Sequence, residues 1–147
     1  MSLDGTYDHD NVFAKILRGE VPAVRVYEDD EILAFMDIYP QADGHVLVIS
    51  KTSTARTILD MERATLQTVV GAVQRIAAAI RTALQPDGVV VAQFSGRAAG
   101  QTVDHFHFHV IPCWAGKPLR PHGSQLEPGE PERLRELARV IAGALAA

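Results

Sequence analysis

His105-Phe106-His107-Phe108-His109-Val110-Ile111-Pro112 decides how the rest of the chain is read. Histidine recurs at every second position, which is the spacing of one face of a β-strand. His105, His107 and His109 therefore share a face, and Phe106, Phe108 and Val110 share the opposite one. On a helix the three imidazoles would fan around the axis and could not converge on a small ligand. The phenylalanine face is assigned to core, the histidine face to a site, and Pro112 to the end of ladder pairing. Three readings fit such a face: solvated surface histidines, a metal site of neutral imidazoles, or covalent catalysis in which one imidazole attacks an electrophile while its neighbours orient it.

Directly upstream, Ser95-Gly96-Arg97-Ala98-Ala99-Gly100-Gln101-Thr102 is a glycine-bearing loop that delivers Gln101 and Thr102 beside the histidines. Glycine lets backbone approach an anion closely, so the amides of Gly100 and Gln101 and the Thr102 hydroxyl are candidate phosphate donors. The loop has neither the Gly-Lys-Ser/Thr ending of a P-loop nor GxGxxG spacing, and a strand rather than a helix follows it.

Gly100-Gln101-Thr102-Val103-x-His105-x-His107-x-His109-Val110-Ile111-Pro112 resembles the signature of the histidine triad (HIT) family of nucleotide hydrolases and transferases, and within it the Hint-like phosphoramidase branch. The resemblance extends from about Asn11 to Pro112. It implies a purine nucleotide as small-molecule substrate, cleavage at the α-phosphorus, a homodimer and no cofactor. It places the nucleophile at His107, with His105, His109, Thr102 and the loop backbone around the phosphate. Transferase relatives carry Gln at the third histidine position, so His109 points to hydrolysis. Asp37 is assigned to the ribose hydroxyls, and Val12, Phe13, Val21, Phe35 and Ile38 to the wall around the base. Many members have a Cys-x-x-Cys zinc half-site where this chain has Asn11 and Ala14, so no metal is expected. Members usually carry Asn shortly before the first loop glycine. Phe94 stands there instead and cannot donate that hydrogen bond, which keeps open a nucleotide-binding module with little turnover. Dinucleoside polyphosphate hydrolysis is a further alternative. His45 matches a recurring loop histidine.

At 147 residues and a formal charge of −4, the chain is expected to form one domain. No run of like charge offers a basic patch to nucleic acid or a membrane surface. Cys113, the single cysteine, excludes an internal disulfide and fits a reducing compartment. No apolar run approaches the ~18 residues of a spanning helix, and no leader pattern opens the chain, so a cytoplasmic protein is expected.

Residues 1–10 are expected as a flexible arm and 11–147 as the domain. Val12, Phe13, Ile16 and Leu17 have helical spacing behind a cap at Asn11 or Asp10, with Gly19 as the stop. Strands are expected around Val24–Tyr27, over Ile32–Asp37, at Val46-Leu47-Val48-Ile49 (apolar enough to be buried on both faces) and over Val89–Phe94. A long amphipathic helix over 61–84 takes Asp60 as N-cap and is stopped by Gln85-Pro86-Asp87-Gly88. After Pro112 a Pro/Gly-rich arm extends to Gly129, and Pro131 starts a last helix. Trp114 and His122 are candidates to close over a neighbouring site, with plain packing as the other reading of Trp114. The sum is an α+β fold: a five-stranded antiparallel sheet with one long and one C-terminal helix, HIT-like.

Overall fold

The computed structural model describes residues 3–123 and 127–146; residues 124–126, inside the expected Pro/Gly arm, lie outside the described residues. Helix α1 (Val12–Leu17) starts where Asn11 Oδ1 accepts from the Ala14 amide at 2.9 Å, and Gly19, at φ 79°, follows its end. Strands β1 (Arg25–Glu28) and β2 (Ile32–Met36) flank a turn in which the Asp29 carboxylate accepts from the amides of Glu31 and Ile32. Then come β3 (Val46–Ser50), α2 (Arg63–Leu84), β4 (Gly88–Ala92), β5 (His107–Cys113) and α3 (Pro131–Ala146).

The strands form one antiparallel sheet in the order β1-β2-β3-β5-β4, so β5 is inserted between β3 and β4. Alternation then divides the side chains. Ile32, Ala34, Met36, Val46, Val48 and Val110 pack with Phe106 against α2 and α3 in the main core. Leu33, Phe35, Leu47 and Ile49 point to the other face and pack on Phe13 and Ile16 of α1. The register sets His109 opposite Leu47 and His107 opposite Ile49, which puts both imidazoles on the α1 face. As expected, β3 is buried on both faces. Among the described residues no helix is long and apolar enough to cross a membrane.

Three expectations need correction. Pro112 does not end the ladder, because it still pairs with Val89; β3 has ended opposite Val110, so the strand is an edge there and tolerates a residue without an N–H. Asp60 does not cap α2. Its carboxylate accepts from the Arg56 and Thr57 amides in the preceding turn, and the helix starts only at Arg63, behind Glu62, without a side-chain cap. The fourth strand stops at Ala92 rather than Phe94. From the N-terminal arm, the Tyr7 hydroxyl reaches His105 at 2.7 Å.

Candidate active site

His107 and His109 project from β5 into a cavity of about 360 Å³ between the sheet and α1. A larger groove of about 730 Å³ between β1 and α3 contains no histidine and is not the site. His105 lies before the strand starts, and its ring is not part of the cavity. The cavity collects Val12, Phe13, Val21, Phe35, Asp37, Ile38 and Thr102 from the expected set. Val12 is 41% and Ile38 52% exposed, so these two form an apolar rim. Phe13 stands edge-on to both Phe35 and His107, at 5.2 and 5.0 Å between ring centres.

The proton on each imidazole follows from its partners. His107 Nδ1 is 2.6 Å from the carbonyl oxygen of His105; a carbonyl only accepts, so Nδ1 carries the hydrogen and Nε2 keeps its lone pair. His45 Nδ1 accepts from the Gln41 amide at 3.0 Å, which places its hydrogen on Nε2, 2.9 Å from His109 Nδ1. His109 then accepts at Nδ1 and carries its hydrogen on Nε2, a buried atom with no partner among the described residues. His105 donates from Nε2 to the Ser50 carbonyl at 3.2 Å and accepts at Nδ1 from Tyr7. Burial pushes all four imidazoles down, His45 to about 3, His105 and His107 to about 4 and His109 to about 2, so they are neutral at neutral pH. An orphaned buried donor costs about 1–3 kcal/mol, a cost a ligand oxygen would remove. A lone-pair nitrogen and an unpaired N–H thus stand side by side, with rings 5.0 Å apart.

The loop departs from its expected role. The Gly100 amide donates to the Arg97 carbonyl and the Gln101 amide to the Gly96 carbonyl, so neither is available to an anion. A 3-10 turn over Arg97–Ala99 has taken them up. The Gln101 side chain is buried and holds the loop instead, accepting from the Gly96 amide and donating to the carbonyls of Arg56 and Val103. Thr102 is exposed on the cavity wall. Asp37 accepts from the Tyr39 amide, and burial raises its carboxyl to about 6. Its 3.4 Å approach to His45 is not an ion pair at neutral pH, because His45 is uncharged.

The chain matches the HIT domain over residues 18–115. It belongs to the HIT family. HIT proteins are generally nucleotide hydrolases or transferases. The chain is 35% identical to Protein hit of Bacillus subtilis over 92% of its own length and 94% of that protein. It is 35% identical to the adenylylsulfatase HINT3 of Arabidopsis thaliana over 83% of this chain and 64% of that protein. Among solved structures, a Hit-like protein of Bartonella henselae gives a TM-score of 0.89 at 48% identity, covering 95% of this chain and 99% of that one.

In this HIT domain Asp37, His45 and His109 offer three ligand atoms within 4.8 Å of one another. The cluster does not fit a cation. A metal on His45 Nε2 would force the hydrogen onto Nδ1, against the Gln41 amide that already donates there. Gln41 and Tyr7, which set the tautomers of His45 and His105, had no signal in the sequence; both act across the fold or through backbone. Phe94, at the usual Asn position, packs edge-on to His109 at 5.3 Å between ring centres rather than supplying a donor.

Proposed function

We propose that this HIT protein hydrolyses purine nucleoside phosphoramidates or related nucleotide conjugates at the α-phosphorus through a nucleotidyl-histidine intermediate on His107. The observation that carries the proposal is the His107 Nδ1 bond to the His105 carbonyl just ahead of its strand, which leaves Nε2 as a fixed lone pair facing the cavity. The His109 Nε2 hydrogen and the Thr102 hydroxyl would hold non-bridging oxygens as charge grows on them. The base would lie among Val12, Phe13, Val21, Phe35 and Ile38, and the ribose hydroxyls at Asp37. His105 would act through its carbonyl rather than its ring. The HINT3 relative makes adenylyl sulfate a natural second test substrate. The deciding experiment is acid or base quench of a single turnover with labelled nucleotide. The expected result is an acid-labile, base-stable nucleotide on the protein; turnover with no such adduct would mean direct attack by water.

Asp37→Ala should weaken substrate binding by about 1.5–3 kcal/mol, the range for a charged acceptor. Equal loss with ribo- and 2′,3′-dideoxynucleotides would remove Asp37 from the ribose.

A homodimer is proposed as well. Edge strand β4 has Val89, Val90 and Val91 exposed at 37, 38 and 49%, with no proline or charge to guard it. Sedimentation at micromolar concentration should give twice the 16.0 kDa chain mass, and a single species at the monomer mass would overturn the pairing. The lone Cys113 supports a cytoplasmic location.

A further inference from the structure

Five imidazoles stand in or beside the phosphate end of the pocket, His105 outside the cavity itself, and four of them are poor sources of a proton. His45 and His105 have both ring nitrogens in hydrogen bonds, while His107 and His109 each have Nδ1 bonded and Nε2 assigned to the phosphate. All four are neutral, and the N–H of a neutral imidazole is far too weak an acid to protonate a departing amine or alkoxide. Attack by His107 nevertheless leaves an electron pair on the departing atom, and that atom needs a hydrogen.

His122 comes from the arm after β5 and is only half buried. Its Nε2 donates to the Gly100 carbonyl at 2.6 Å, and its ring lies 4.4 Å from that of Phe94 and 5.3 Å from that of His109, centre to centre. Among the described residues its Nδ1 has no hydrogen-bond partner. With Asp37, Tyr39, His45, Thr102 and His109 it lines a cavity of about 50 Å³. Asp37, Tyr39, Thr102 and His109 also line the nucleoside cavity, so the two are contiguous. The smaller one has room for about one water or one departing atom, not a second nucleoside. Gly100 admits the ring: a Cβ there would stand 3.2 Å from His122 Cδ2, and the backbone is at φ 106°. Phe94, which departs from the family's Asn, supplies the surface His122 packs on.

We propose that His122 is the proton donor to the leaving group and that the small cavity it closes receives the departing atom. This deepens, and rests on, the nucleotidyl-transfer reading above. In the first step the His107 Nε2 lone pair forms the P–N bond, the bond from phosphorus to the leaving atom breaks with its electron pair on that atom, and the imidazolium of His122 transfers its Nδ1 hydrogen to it. In the second step water attacks phosphorus and gives a proton to His122 Nδ1, the P–N bond breaks, and His107 recovers its lone pair. The Nε2 hydrogen stays on the Gly100 carbonyl throughout, so the ring need not turn.

The test compares leaving groups in the wild-type protein and in His122→Gln, whose amide can still donate to the Gly100 carbonyl. With an adenosine 5′-phosphoramidate of an alkylamine, kcat/KM should fall on the order of 10² to 10³-fold. With the p-nitrophenyl ester of AMP, whose leaving group departs without a proton, it should fall less than about threefold. His122→Ala should regain amidate turnover when imidazole is added. Equal loss on both substrates, or no loss on the amidate, would overturn the proposal while leaving attack by His107 intact. A wild-type protein that turned over neither substrate would overturn both together.

Discussion

His107→Ala should lower steady-state turnover by a factor on the order of 10⁴ to 10⁶, the scale seen when a nucleophile is removed from an otherwise intact site. The reason is positional. Nucleotide affinity should stay within a few-fold, because the proposed base wall and Asp37 would still hold the nucleoside. The measurement pairs single-turnover kinetics with nucleotide titration of the variant. Robust turnover by His107→Ala would remove the covalent mechanism, and a large loss of affinity would mean that His107 binds rather than attacks.

The two flanking histidines should behave differently from each other, although the sequence presents them as equivalents. His109→Ala removes a donor aimed at developing charge and should cost on the order of 10² to 10³ in kcat. His105→Ala keeps the carbonyl that orients His107 and deletes a ring hydrogen-bonded, among the described residues, to Tyr7 and Ser50. Its cost should appear mainly in stability, about 1–3 kcal/mol for the partners left unpaired. A His105→Ala variant as inactive as His109→Ala would contradict that division.

What was legible before the fold was known follows the range of the interactions. The alternation of β5 from His107 onward, the doubly buried β3, the Asn11 cap and the stop at Gly19 are local patterns and lie where the sequence placed them, whereas His105 falls just ahead of the strand. Asp60 misled because an acid ahead of an apolar stripe is a cap only if its carboxylate is not already taken, and here the turn at Arg56 and Thr57 takes it. The loop amides misled for a similar reason: a short 3-10 turn consumes them, and no residue type announces that. The hydrogen-bonded relay is the deepest omission. Gln41 sets the tautomer of His45, and His45, 64 positions away in sequence, sets that of His109. Pairings of this kind exist only once β3 and β5 are side by side. Motif spacing therefore found the imidazoles but not the positions of their hydrogens, and those positions give His107 and His109 different chemistry.

The same buried imidazoles should make the protein unusually sensitive to mild acid. In an unfolded chain each takes up a proton near 6.5, whereas in the fold His45, His105, His107 and His109 do so only at about 4 or below, chiefly because burial disfavours the cation. Between those values the unfolded state binds more protons, so stability is full above about 6.5 and drains as the pH falls towards 4. At pH 5 the cost is about 2 kcal/mol for each imidazole. Asp37 works in the opposite direction. Its carboxyl titrates at about 6 in the fold against 3.8 in the unfolded chain, so acidification from pH 7 to 5 adds back roughly 1 kcal/mol. The histidines outweigh it. Urea unfolding should show a fall of several kcal/mol between pH 7.5 and 5, a large share of the roughly 5–15 kcal/mol by which domains are stable. His105→Asn should have the smaller fall, by about 2 kcal/mol, because one buried neutral imidazole is gone. Stability that stayed level across this range would mean the imidazoles are charged in the folded state, and a charged His45 could not pass its hydrogen-bond order to His109.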